Sequence, residues 1–343
     1  NRAGIRDWTD PNHWVQTMDP NYGIIVNGEL VNGLPDTPAL GVSGNTPKFG
    51  SICFLSDCTD LADDPEATPP ATGNGTPVYI PGGPGTRNFV PNNVVANPTA
   101  GVKARYYDVT LSAIGATSLG SNVTIDRLTV DGAHLLDVRK TGQLQVLTDF
   151  TQWAGWTNVD GLLRSREALV ASGILSGSGT VDPTYLTIGK ALVAPGGSGI
   201  GTLTIQGDLI LSSGALLSID LSRTASDKLV VTGDAFNTGI AALDGTVLFN
   251  RGSLFSTPRH GQSFTFLTAS GGVDGTFAHV ASTLGLLKAE VVYDPNAVRV
   301  NLKAGSIFDY LRNAGELVGV FANALDALRD RNYSNLSNLY GSI

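Results

Sequence analysis

The sequence predicts an all-β chain, a right-handed single-stranded parallel β-helix, and three observations carry that prediction. Short apolar runs recur through the second half, at residues 179–181, 186–188, 203–211, 216–221 and 227–233. Their corners fall on Gly, whose backbone enters positive φ without steric cost. The composition agrees, with 42 Gly in 343 residues and only 15% charged residues, as many short strands and tight turns require. A solenoid meets all three conditions, because each strand can pair with the strand one coil further along.

The elements follow in order. Residues 1–104 are rich in Pro, Gly, Asn and Asp, with an alternating run at 22–31, and are expected to form an irregular cap that blocks edge-to-edge pairing at the end of the rod. Strand signals then recur at 107–111, 123–125, 128–130, 135–138 and 144–147 before the glycine-punctuated series, so 105–304 is expected to be the β-helix. At roughly twenty residues per coil and strands ~4.8 Å apart, that length predicts a rod of about 45–50 Å. From Ser306 the apolar period changes to 3.6. Ile307, Leu311, Ala314, Leu317, Val318, Phe321, Leu325 and Leu328 are interleaved with Asp309, Arg312, Glu316, Asp326 and Arg329. This predicts one amphipathic helix within 305–343. Gly315 and Gly319 have the spacing of a membrane dimerisation face, but the interspersed charges exclude a lipid-spanning helix.

Charge and cysteine usage narrow the class. The net charge is −8 and the 22 Lys and Arg are scattered singly, so no basic patch exists for nucleic acid, which is excluded as a partner. Cys53 and Cys58 stand five residues apart with no other cysteine in the chain. In an oxidising compartment they close a small disulfide loop; the alternative is two unrelated reduced thiols. No apolar run approaches the ~18 residues of a membrane helix, and no signal peptide begins at Asn1, so a mature or excised piece of a longer precursor is expected.

Catalytic patterns are sparse. Asp126, Asp131 and Asp137, with Arg127 and Arg139 beside them, offer carboxylates for acid–base chemistry on a polysaccharide, yet each abuts a strand edge or turn where Asp is favoured for local hydrogen bonding. Asp57, Asp60, Asp63 and Asp64 supply hard oxygen ligands for Ca²⁺ but lack the spacing and glycine of a calcium loop; otherwise no cofactor or metal is expected. His13, His134, His260 and His279 show no paired-ligand spacing. No G-x-S-x-G elbow occurs. The glycine run 196–201 has no following Lys-Ser/Thr to hold phosphate, so it reads as a corner. The expectation is therefore no catalytic residues and no enzymatic activity.

The stretch 168–302 resembles the carboxyl-terminal passenger region of bacterial autotransporters, the type V secreted proteins of Gram-negative bacteria. The resemblance is carried by LSGSGTV at 175–181, LVAPGGSGIGTLTIQGD at 192–208, SDKLVVTG at 226–233, FTFLTASGGVDGTF at 264–277 and VVYDPNAVRVNL at 291–302. Trp8 and Trp14 are similar to a Trp-x(5)-Trp segment found near the start of such modules, and residues 321–328 (FANALDAL) are similar to the family's linker helix, which threads an outer-membrane β-barrel. The chain departs from the family in that no barrel strands follow within these 343 residues.

The resemblance implies a secreted rod whose last rungs, 203–302, act as an autochaperone during secretion. The side chains concerned would be the inward apolar set Leu203, Ile205, Leu209, Leu211, Leu216, Ile219, Leu229 and Val231, which also read simply as core. The implied partner is the outer-membrane β-barrel of the same precursor, and the implied location is the cell surface or exterior, attached to the outer membrane before any release. A non-catalytic stalk serving display, adhesion or self-association, with a host or cell-surface ligand as possible partner, is the expected function. The alternatives are a polysaccharide-degrading β-helix enzyme and a surface-layer or fibre subunit.

Overall fold

The computed structural model describes residues 1–15, 23–26, 29–32, 89–95, 98–100, 107–252, 257–311 and 313–340. Its strands form a 15-stranded sheet, a nine-stranded sheet and a separate two-stranded one. Cys53, Cys58 and the acidic group Asp57, Asp60, Asp63 and Asp64 lie outside the described residues.

The chain passes through the two large sheets in a repeating order. Asp108–Leu111 and Gly115–Leu119 lie in the first and Asn122–Ile125 in the second; the next pass is Arg127–Val130, His134–Val138 and Gln143–Val146. Each strand pairs in parallel with its counterpart one pass later, with Asp108 opposite Arg127, Gly115 opposite His134 and Asn122 opposite Gln143. Parallel neighbours need a long crossover, and here the crossover is the rest of the pass. In Glu167–Gly177 and Tyr185–Pro195 the two strands of the first sheet fuse into single eleven-residue strands.

Alternation fills the interior. Val109, Leu128, Phe150, Ala168, Leu186, Leu209 and Ala241 are in register on successive strands and all are buried. Each therefore packs on its equivalents above and below, and full burial of a large apolar side chain contributes roughly 1.5–3 kcal/mol. A slip of one residue would turn the whole column to solvent, which fixes the register. The corners are equally constrained. Gly177 has φ +121°, and a Cβ there would stand 2.1 Å from the carbonyl oxygen of Val159.

Pass length departs from the expected figure. Asp149 pairs with Glu167 and Glu167 with Tyr185, eighteen residues each time, whereas Leu209 pairs with Ala241 and Ile240 with Gly272, thirty-two apart. The longer turns consume chain without adding strands. Among the described residues, eight strands stack from Asp108–Leu111 to Gly272–Gly275, a span of about 34 Å at ~4.8 Å spacing, shorter than predicted.

Both ends also differ from expectation. Gly4–Asp7 lies in the region read as irregular, yet it pairs in parallel with Gly115–Leu119 and extends the first sheet. Trp8 and Trp14 cover the apolar end there. Their rings are 4.8 Å apart, Trp8 Nε1 donates to Pro91 O at 2.9 Å, and Trp14 Nε1 donates to Trp8 O at 2.7 Å. The run at 22–31 is a hairpin, Gly23–Val26 antiparallel to Glu29–Asn32. At the other end Leu287–Asp294 and Ala297–Ala304 form a hairpin across Pro295 and Asn296, and its second strand pairs antiparallel with Ser263–Ala269. The segment read as a last parallel rung thus reverses direction, because a two-residue loop permits only antiparallel neighbours.

The expected single amphipathic helix is two, Ile307–Leu311 and Glu316–Tyr340. Gly315, at φ +111°, separates them. Only part of the apolar stripe docks: Ile307 is buried with Ala322, and Leu311 and Leu325 pack against them, whereas Leu317 is 87% and Phe321 69% exposed. Among the described residues no helix is long and apolar enough to cross a membrane, which says nothing of a β-barrel.

Candidate functional site

The densest group of buried polar side chains near the amino-terminal end joins residues far apart in sequence. Thr117 and His134 lie on adjacent strands of the first sheet, and His13 closes the short 3₁₀ turn Pro11–His13 that Asp10 caps through the amide of Asn12. Thr117 and His13 are 0% exposed and His134 is 2% exposed. His134 Nδ1 stands 2.6 Å from Ala113 O, which assigns its proton to that nitrogen. Its Nε2 then accepts from the Thr117 hydroxyl at 2.8 Å, and Thr117 Oγ1 accepts from His13 Nε2–H at 2.6 Å. His13 Nδ1 is left buried with no partner. Burial pushes His13 down to about 4 and also lowers His134, so both imidazoles are neutral at pH 7. A hydroxyl between two imidazoles has the composition of a nucleophile and its base, but complete burial gives a substrate no approach. What the group can do is take up protons.

Two other polar groups lie inside the strand stack. Gln152 occupies an inward position equivalent to Val130 and Val170, its amide donating to the carbonyls of Gly155, Ser172 and Ile174 while its Oε1 accepts from Thr157 at 2.7 Å. Asp227 is 2% exposed and accepts from Gly201 N and Asp220 N, each at 2.9 Å. Burial pushes its carboxyl up to about 7. Neither was singled out by motif, although Thr117, Gln152 and Thr157 break the apolar rule at inward positions, and that was the available signal.

The carboxylates read as an acid–base set are not brought together. Asp126 accepts from Asn93 Nδ2 at 2.7 Å before the strand Arg127–Val130, and Asp131 bonds the amide of Gly132 at the turn after it. Asp137 lies on the neighbouring strand, where it accepts from Asn158 and stands 3.8 Å from Arg139. Arg127 pairs instead with Asp149 at 2.8 Å, forming with Asp108 an outward charged ladder on the exposed face. Each carboxylate is thus tied to its own separate partner, Asn93, Gly132 or Asn158. Among the described residues no three His, Cys, Asp or Glu side chains stand together to hold a metal ion.

Of the proposed folding core, Leu203, Ile205, Leu209, Leu211, Ile219, Leu229 and Val231 are buried. Leu216 is the exception: it is half-buried on the outer face, because the inward positions run through Leu209, Leu211, Ala215, Leu217, Ile219 and Leu221 with unchanged parity, and Leu217 takes the inward place. Residues 196–201 form the corner between Tyr185–Pro195 and Thr202–Gln206, as read from sequence.

No family model matches the chain. It is similar to a protein from Serratia marcescens named as an extracellular serine protease, with 28% identity over 160 residues, 45% of this chain. That stretch spans 15% of the length of the Serratia protein. The expectation that the chain is not an enzyme is corrected by this finding: similarity to a protein named as a protease gives no ground for placing the chain outside the enzymes.

Proposed function

We propose that this chain is the carboxyl-terminal part of an autotransporter passenger, folded as a right-handed β-helix and displayed on, or shed from, a Gram-negative cell surface. The observation that carries the reading is the unbroken parallel register from Asp108 to Gly275, in which every pass builds on the previous one. An elongated stack of this kind holds attached surfaces away from a membrane and can grow pass by pass as it emerges. Similarity to an extracellular protein supports the location. On this reading residues 1–104 cap the stalk, 105–304 form it, and 305–343 lead toward an outer-membrane β-barrel of the same precursor. Residues 203–302 would then fold first outside the cell and template the rest, leaving display, adhesion or self-association as the stalk's service.

The test is expression from the native coding sequence in a Gram-negative host, followed by antibody labelling and protease shaving of intact cells. Labelling of residues 105–304 on intact cells is expected. Recovery of the chain only from the cytoplasm, untouched by shaving, would sink the proposal.

A further inference from the structure

We propose that His13, Thr117 and His134 form an acid-sensitive latch that holds residues 1–14 on the end of the strand stack and releases them when the imidazoles take up protons. The cluster lies on the seam it would control. His13 belongs to the segment 1–14, whereas Thr117 and His134 belong to the two passes stacked behind it. The same segment is held on the stack by the pairing of Gly4–Asp7 and by Trp8 N donating to Ser118 O at 2.8 Å, and is tied into one unit by Arg2 N donating to His13 O at 2.8 Å and by the Trp8–Trp14 pair. Loss of the His13 contact therefore loosens one continuous unit.

Proton accounting shows why acid opens it. The closed arrangement has one proton in each link, running from His13 Nε2 to Thr117 Oγ1 and from Thr117 to His134 Nε2. A proton added to His134 Nε2 points at the hydroxyl that was donating to it, so Thr117 must either turn its own proton toward a fully buried surface or donate it to His13 Nε2, which moves the His13 proton onto the partnerless Nδ1. A proton added to His13 Nδ1 lands on the nitrogen that has no partner. Either leaves an unsatisfied buried donor and a buried charge.

The facing charges do not compensate. Asp10 is the acid that favours a charged His13, but it pairs with Arg6 at 2.8 Å, and Arg6 itself repels the imidazolium. Asp7 is shared between Thr9 and Arg139. Asn1 presents its amide nitrogen 3.3 Å from His134 Nδ1 and offers no carboxylate to offset a charge there. Burial thus holds His13 at about 4 in the closed state against 6.5 when open. The closed state rejects the proton and the open state accepts it, so docking weakens as pH falls below 6.5 and levels off below 4. The difference bounds the weakening at on the order of 300-fold for His13 alone.

Hydrogen exchange of the full chain between pH 7 and pH 4, corrected for intrinsic rates, reads the latch directly. Protection of residues 1–14 is expected to fall at least tenfold over that range while Glu167–Gly177 and Tyr185–Pro195 keep theirs. His13→Gln keeps an N–H for Thr117 but takes up no proton, and is expected to abolish most of the change. Unchanged protection of 1–14 at pH 4, or an equal fall in the variant, overturns the latch. Should the variant fail to dock at pH 7, an NMR titration of the native His13 ring decides, since a midpoint near 6.5 also overturns it.

Discussion

Asp227 illustrates how one buried group sets a pH dependence. Its carboxyl has two backbone donors and is almost fully buried, so desolvation outweighs the hydrogen bonds and raises it to about 7. The unfolded chain ionises near 3.8. The folded state therefore holds the proton longer, and the stability tied to this residue is complete below pH 3.8 and is lost as pH rises through 7. Denaturant midpoints at pH 5 and pH 8 should show this loss in the native chain, and Asp227→Asn, which cannot ionise, should lack it. Gln152 acts differently, satisfying corner carbonyls from within the core. Gln152→Leu matches the neighbouring passes in polarity but takes one donor from those carbonyls, of which Gly155 O keeps Ile174 N, and leaves the buried Thr157 hydroxyl without its acceptor, and is expected to cost about 2 kcal/mol in chemical unfolding. Polar residues at inward positions were legible as exceptions to the alternation. Their partners were not: some are near in sequence, such as Thr157 and Asp220, and others lie on different passes, such as Ser172 and Gly201, and only the fold selects among them.

Asp326 sets the geometry of the two terminal helices. Its carboxylate accepts from Ile307 N at 2.9 Å, Phe308 N at 3.0 Å and Ser306 Oγ at 2.6 Å, capping the first helix from the second. Burial opposes its ionisation, yet these hydrogen bonds and Arg329 hold it below the usual carboxylate range. Arg329 also donates to Gly305 O at 2.7 Å. Asp326→Ala is expected to cost about 2 kcal/mol at this joint, seen as faster proteolysis after residue 305 while the strands stay resistant. Gly319 fits closely against Phe308, where a Cβ would lie 3.2 Å from the ring. The 3.6-residue period announced helix here, but Gly315 divides it and capping chooses the docked face. Leu317 and Phe321, the prominent members of the apolar stripe, consequently remain outside.

For the whole molecule, the stacked columns make each pass depend mainly on its neighbours. Phe150 is fully buried between Leu128 and Ala168, and Phe150→Ala is expected to cost about 3–5 kcal/mol. If residues 203–302 template the stack, the same loss has different reach at different places. Val109→Ala should raise hydrogen exchange only in the first passes, whereas Leu229→Ala should raise it from Arg127–Val130 through Lys228–Thr232. Equal, local effects at both sites would remove the support for templating. Alternating apolar residues and glycine corners, local properties of the chain, determined by themselves that it is all-β and which faces of its strands turn inward. Only the tertiary structure decided how long each pass runs, where a hairpin ends the parallel order, and that His13 meets Thr117 across 104 residues. Those are contacts between separate passes, and their geometry follows from turn length and register summed along the stack, quantities to which no short stretch of sequence responds.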